Sequence, residues 1–163
     1  MKTFVFSTLL LAVVTATPAT ALGKDSSMPS KALITQQFTI WNAALQTLDA
    51  KKVAALYCDP GGVLLPTVSN QVRTTPAQIT DYFDHFLQLK PKGTIDESYI
   101  RILGPDTAIN SGIYTFDVTQ NGKPGEVQAR YTFVYQKMNG KWCIMDHHSS
   151  AMPETKPASA ASH

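Results

Sequence analysis

The chain is short of the groups that build most recognisable sites. It has two cysteines and four histidines in 163 residues, and neither set falls into a spacing known for zinc, redox or haem chemistry. No His-x-His or His-Glu-x-x-His exists anywhere, which excludes the familiar helix-borne metal centres. Charged residues make up only 16% of the chain and the formal charge is +2, so no basic stripe is available for phosphates and nucleic acid is excluded as a partner. Beyond the N-terminus no apolar run approaches the length of a transmembrane helix. There are no internal repeats.

What is present begins with an export signal. Lys2 supplies a positive start, Phe4 to Val14 an apolar stretch of about 11 residues, and Ala19-Thr20-Ala21 a small-residue cleavage site. The expected organisation is a signal peptide over 1–21, a polar leader over 22–30, one domain over 31–154 and a disordered Ala/Ser/Pro/Lys tail over 155–163. Cleavage leaves roughly 140 residues, enough for a single well-filled core. The mature chain is expected to be periplasmic or secreted and to have no membrane contact once the signal is removed. Export makes a Cys58–Cys143 disulfide chemically possible. Two buried apolar thiols are the alternative.

Leu33, Ile34, Phe38, Trp41, Leu45 and Leu48 recur at helical period behind a Ser30 cap. Asp49 can cap a second short helix that carries Val53 and Leu56 inward before Pro60-Gly61-Gly62. Val63-Leu64-Leu65 reads as a short buried strand. Thr75-Pro76-Ala77-Gln78 has a Thr cap, Pro at the first helical position and Gln placed for a capping box. That helix would bury Ile79, Tyr82 or Phe83, Phe86 and Leu87. Four strand-like runs follow near 94–103, 107–118, 126–137 and 141–150, with Asn139-Gly140 as a tight hairpin turn. Helices first and antiparallel strands afterwards predict an α+β fold, a curved sheet wrapped on N-terminal helices to form a cone. The mouth of such a cone is where a small ligand would bind.

The polar cluster Asp146-His147-His148-Ser149-Ser150 closes the last strand. Strict alternation puts Trp142, Ile144, Asp146, His148 and Ser150 on one face and Cys143, Met145, His147 and Ser149 on the other. The first set grades from apolar to polar, as a pocket wall would. Adjacent histidines on opposite faces do not share a metal ion. His85 reads as a helix-surface histidine.

Leu64-Leu65-Pro66-Thr67-Val68-Ser69-Asn70-Gln71-Val72-Arg73, Asp81-Tyr82-Phe83 and Pro91-Lys92-Gly93 resemble one family. So do Ile109-Asn110-Ser111-Gly112, Ala129-Arg130-Tyr131-Thr132 and His147-His148-Ser149-Ser150-Ala151-Met152-Pro153. These segments are similar to the iota-class carbonic anhydrases, within the group resembling the calcium/calmodulin-dependent kinase II association domain. The resemblance spans about 33–153. It implies the cone fold of the nuclear transport factor and cystatin-like superfamily, and reversible hydration of carbon dioxide to bicarbonate. Carried over by position, it implies Thr67, Tyr82, His148 and Ser150 as catalytic residues, with Ser149, His147 and Arg130 binding substrate. It implies no obligatory cofactor; zinc or manganese is the alternative. Asp146 stands where many relatives have a further histidine, which weakens the metal reading. Two rival readings remain: a non-catalytic oligomerisation or small-ligand-binding module, and a cone-fold isomerase or dehydratase with Asp146 as base. A homo-oligomer is expected, a dimer in the first place, through an outer sheet face lined by Cys143, Met145, Tyr131 or Tyr135.

Overall fold

The structure is a computed structural model that describes residues 27–154. The signal-peptide expectation, most of the leader and the tail lie outside the described residues. Helix α1 spans Lys31–Gln46, its first turn closed by the Ser30 hydroxyl, which accepts from Leu33 N–H at 3.1 Å. Ile34, Phe38, Trp41 and Leu45 form its buried stripe. Leu48 does not belong to it: the helix ends at Gln46, and Leu48 sits in the left-handed region with its side chain half exposed. Helix α2, Ala50–Ala54, is capped by Asp49 as its sequence predicts, the carboxylate accepting from the N–H groups of Lys51 and Lys52. Helix α3, Pro76–Phe86, starts on the Thr75 hydroxyl. Gln78 reaches back to Thr74 N–H rather than to that of the cap, one residue short of a capping box. A 3₁₀ turn, Leu87–Leu89, leads into the sheet.

The sheet comprises β1 (Val63–Leu65), β2 (Lys92–Gly104), β3 (Thr107–Gln120), β4 (Lys123–Met138) and β5 (Lys141–Ala151), in the spatial order β1-β5-β4-β3-β2. The four long strands are antiparallel; β2 turns into β3 at Pro105-Asp106, and the other two hairpins turn at Asn121-Gly122 and Asn139-Gly140, whose four residues all have positive φ. That backbone suits the right-handed twist of the strands and is why Asn-Gly marks both of these turns. Strand β1 departs from the expected run of antiparallel strands. It pairs parallel to β5, Leu64 lying beside His147.

The register slips at three places, near the end of β2 between Ile102 and Gly104 and at two bulges that shape the packing. In β2 the register slips between Ile95 and Glu97, and the Glu97 carbonyl presses against Gly112, where an added Cβ would lie 1.9 Å from its oxygen. In β5 the register slips opposite Val134 and Tyr135, so that Val134 faces Asp146 and Tyr135 faces Ile144, with Met145 left over. The helices pack on one face of the curved sheet, and the core is aromatic. Trp41, Phe83 and Tyr114 are all buried, as are Tyr131, Phe133 and Tyr135. Tyr131 and Tyr135 therefore face inward and do not line an outer interface. Cys143 forms a disulfide with Cys58, their Cα atoms 5.0 Å apart. The disulfide lies alongside two backbone bonds, Cys58 N–H to Ile144 O and Ile144 N–H to Leu56 O, that hold segment 56–58 against β5.

Candidate functional site

The bulge at Met145 decides the site. Upstream of it Ile144 points into the core, and without an irregularity Asp146, His148 and Ser150 would follow it inward. The extra residue shifts the phase by one. His147, 3% exposed, pairs with inward-facing Phe133 and points inside, and Ser149, 8% exposed, follows it beside Tyr131. His148 and Ser150 pair with Thr132 and Arg130 and face outward; His148 is exposed. The expectation that His148 and Ser150 line the pocket is thus corrected, and two of the three residues given the lesser role on sequence grounds, His147 and Ser149, take their places.

Beneath the helices lies a cavity of about 60 Å³, room for a few water-sized molecules. Trp41, Phe83, Phe86 and Phe116 supply apolar wall, as do Val118 and Ala129. Its polar lining comes from Thr67, Tyr82, Tyr114, His147 and Ser149. Strand β1 delivers Thr67: three residues run parallel to β5, Pro66 ends the pairing for want of an N–H, and the Thr67 hydroxyl is hydrogen-bonded to that of Ser149. Tyr82 comes from α3 and stacks on Phe86. Of the predicted residues the structure therefore brings together Thr67, Tyr82, His147 and Ser149. His148, Ser150 and Arg130 are left on the opposite face, where the Arg130 guanidinium donates to Ser150 at 3.2 Å.

Sequence reasoning missed Tyr57 and Tyr114. Tyr114 follows Ala108, Asn110 and Gly112 at every second position of β3, a period-2 pattern that was available in the sequence. Tyr57 follows a five-residue helix in irregular chain, with no periodic signal.

These residues form one hydrogen-bonded row. Tyr57 hydroxyl lies 2.8 Å from His147 Nδ1, Tyr114 hydroxyl lies 3.4 Å from His147 Nε2, and Tyr114 donates to Ser149 Oγ at 2.5 Å. The imidazole stacks on Phe133 at 4.0 Å between centroids and meets Trp41 edge-on at 5.2 Å. Burial pushes the pKa of His147 down to about 3, with the nearby charge of His148 acting in the same direction, so the ring is neutral at physiological pH. Burial raises the hydroxyls of Tyr57, Tyr82 and Tyr114 well above the usual tyrosine range, Arg73 opposing the shift at Tyr82. Every group facing the cavity is uncharged near pH 7.

Among the described residues no group of three or more His, Cys, Asp or Glu side chains is gathered. The cavity offers one imidazole, with both nitrogens turned to tyrosines, and neutral hydroxyls. That donor set does not fit zinc or manganese. Asp146 lies on the outer face with Val134, where partial burial raises its carboxyl above the usual range and His148 works against this. It does not border the cavity, so a carboxylate-base isomerase finds no base there.

A curved sheet closed over helices, with a small pocket in its concave side, is the nuclear transport factor and cystatin-like architecture. A Salmonella enterica protein of the nuclear transport factor 2 superfamily is similar to this chain at 18% identity and a TM-score of 0.66, over 82% of this chain and 96% of that one. Residues 30–153 match the calcium/calmodulin-dependent protein kinase II association domain family, and the chain belongs to it. A Xanthomonas campestris protein whose crystal structure carries the same family description is 51% identical, with a TM-score of 0.76, covering 88% of this chain and all of that one. The association domain of the Caenorhabditis elegans kinase is similar in fold at 16% identity and a TM-score of 0.60, over 74% and 95% of the two chains. No curated protein matches the chain.

Proposed function

We propose that the cavity hydrates carbon dioxide to bicarbonate. The observation that carries this reading is a small, mainly apolar cavity of about 60 Å³ whose one polar side is an uncharged row of hydroxyls and a neutral histidine. A small apolar gas suits such walls, and its oxygens suit the hydroxyls. The similarity of the motif segments to the iota-class carbonic anhydrases supports the same reading.

No base titrating near neutrality faces the cavity, since His147 is held near 3 and the tyrosines far above their usual range. General-base removal of a proton from water, typically worth about 10²–10⁴-fold, is therefore poorly served. A hydroxyl relay serves better. Water oxygen bonds to the carbon while one water proton passes to the Thr67–Ser149 hydroxyl pair, and that pair returns its own proton to an oxygen of carbon dioxide. The product is carbonic acid, which ionises on reaching solvent, and the hydroxyl pair is regenerated. Tyr82, on the adjoining wall, orients the substrate oxygens. Stopped-flow carbon dioxide hydration with signal-free protein, metal-stripped and then with zinc or manganese restored, tests the reading. Acceleration over buffer in the stripped sample supports it. A rate equal to buffer under all conditions removes the activity and leaves a non-catalytic association module.

The chain is further proposed to act outside the cytoplasm, on the strength of its N-terminal pattern, and to form a homo-oligomer, a dimer in the first place. Family membership supports self-association. So does the outer sheet face, where partly exposed Val63, Leu65 and Val134 lie near Ile109 and the exposed side chains of Tyr99 and Leu103. A monomer in sedimentation at micromolar concentration would remove this proposal.

A further inference from the structure

Beside the cavity lies a second pocket, of about 400 Å³ and open to solvent, that shares Val68, Tyr82 and Phe86 with it. Arg73, Asp81 and His85 give this outer pocket the charged side that the cavity lacks. One loop serves both. Leu64 and Arg73 exchange two backbone hydrogen bonds of 2.9 Å, an antiparallel pairing that closes residues 65–72 into a loop. Thr67, near the start of the loop, lines the cavity, and Arg73, at its end, lines the outer pocket. A cation is thereby held at a fixed place beside an uncharged chamber.

The guanidinium is under-used. Arg73 Nη1 donates to Gln71 Oε1 at 2.7 Å, and Nη2 reaches Ser69 Oγ only at 3.5 Å. Nε is covered and has no partner. Among the described residues no carboxylate pairs with Arg73, although Asp81 lines the same pocket. The Nε and Nη2 edge of a guanidinium can grip two oxygens of a planar anion at once, and here that edge holds a single long bond. Tyr82 adds a second free donor. Its hydroxyl makes no hydrogen bond among the described residues, and the charge of Arg73 lies close enough to oppose the effect of burial on it. A cation and a neutral O–H donor at one opening favour a small oxyanion over neutral carbon dioxide.

We propose that Arg73 and Tyr82 form an oxyanion site at the mouth of the cavity, and that its ligand is bicarbonate, held on leaving in the hydration direction and on entry in the reverse one. The proposal deepens the hydration reading, on which the choice of anion rests. In that reading carbonic acid forms among uncharged groups and ionises outside them. The outer pocket is where the new anion meets a guanidinium. Carbon dioxide and bicarbonate then rest on different surfaces, one apolar and one cationic.

The test is a bicarbonate titration of the full mature chain, labelled with nitrogen-15, followed by proton–nitrogen NMR at low chloride. Wild type is expected to show saturable shifts in the amides of residues 68–73, in those of α3 around Tyr82 and His85, and in the Arg73 Nε–H. Arg73→Gln keeps a hydrogen-bonding side chain and removes the charge. It should weaken binding by about tenfold or more, the usual loss when a charge-assisted hydrogen bond goes. Arg101→Gln removes an equal charge from the exposed outer sheet face, where Arg101 donates to Ser111, and should bind bicarbonate as wild type does. Wild-type shifts confined to β3, β4 and β5 overturn the proposal, as does an Arg73→Gln affinity equal to wild type or an equal loss in both arginine variants. If Arg73→Gln does not fold, the location of the wild-type shifts decides alone. Arg73-dependent binding by a protein that hydrates no carbon dioxide removes the activity and leaves the oxyanion site standing. Hydration with no response to bicarbonate in residues 68–73 leaves the activity and removes the site.

Discussion

Acid should destabilise this protein through a single buried ring. An unfolded chain holds His147 at its usual pKa of 6.5, whereas the folded protein holds it near 3 because burial disfavours the imidazolium. The folded value lies below the unfolded one, so the stabilisation is complete above about pH 6.5 and is lost as the pH falls toward 3. Within that window the unfolded state binds a proton that the folded state refuses, at about 1.4 kcal/mol per pH unit. Going from pH 7.5 to pH 5 therefore costs about 2 kcal/mol, a sizeable part of the ~5–15 kcal/mol that holds a domain together. Asp146 has the opposite sense, because a carboxyl held above its usual range gains stability on protonation. The comparison that isolates the imidazole is with His147→Gln, which keeps a polar side chain and removes the titration. Urea unfolding of both proteins in half-unit steps from pH 5 to 7.5, disulfide intact, gives the two slopes. Wild type should lose stability relative to the variant by about 2 kcal/mol across the range. Parallel curves would refute the burial of a neutral His147.

Two further outcomes follow from the framework around the site. Cys58 and Cys143 are 85 residues apart, so opening the disulfide by a Cys58→Ala/Cys143→Ala pair should lower stability by roughly 3–5 kcal/mol in the same urea assay, through freedom returned to the unfolded chain. Gly112→Ala should cost more than about 2 kcal/mol, since the new methyl would strike the Glu97 carbonyl; a neutral result in thermal unfolding would mean that the β2 bulge yields freely.

Local chemistry carried most of the fold in the sequence. Ser30, Asp49 and Thr75 cap helices where their side chains say they should, and the two Asn-Gly pairs turn the hairpins in the only backbone region that suits them. Leu48 misled because apolar periodicity continued past the point where the helix itself had ended. The parallel pairing of β1 was not legible, since three apolar residues carry no mark of direction. The site was half legible. Thr67, Tyr82 and the histidine–serine cluster were visible as residue types, but which histidine turns inward depends on one unpaired residue, Met145. A bulge leaves no trace in alternation when both phases carry polar groups, as Asp146 to Ser150 do. Only the partners across the sheet, Phe133 and Val134, settle the phase. Tyr57 stayed hidden because a tertiary clamp, rather than any period of its own, brings it against His147.

The central claim is that the inward pair, His147 and Ser149, and not the outward pair, His148 and Ser150, forms the working pocket. Stopped-flow carbon dioxide hydration on folded, signal-free wild type, His147→Ala, Ser149→Ala, His148→Ala and Ser150→Ala tests it most directly. The account predicts that Ser149→Ala, which breaks the relay, and His147→Ala, which takes a member out of the hydrogen-bonded row behind it, each lower the rate by about tenfold or more, while His148→Ala and Ser150→Ala stay within about twofold of wild type. Loss of rate in the His148 and Ser150 variants, with His147→Ala and Ser149→Ala left at the wild-type level, would contradict it.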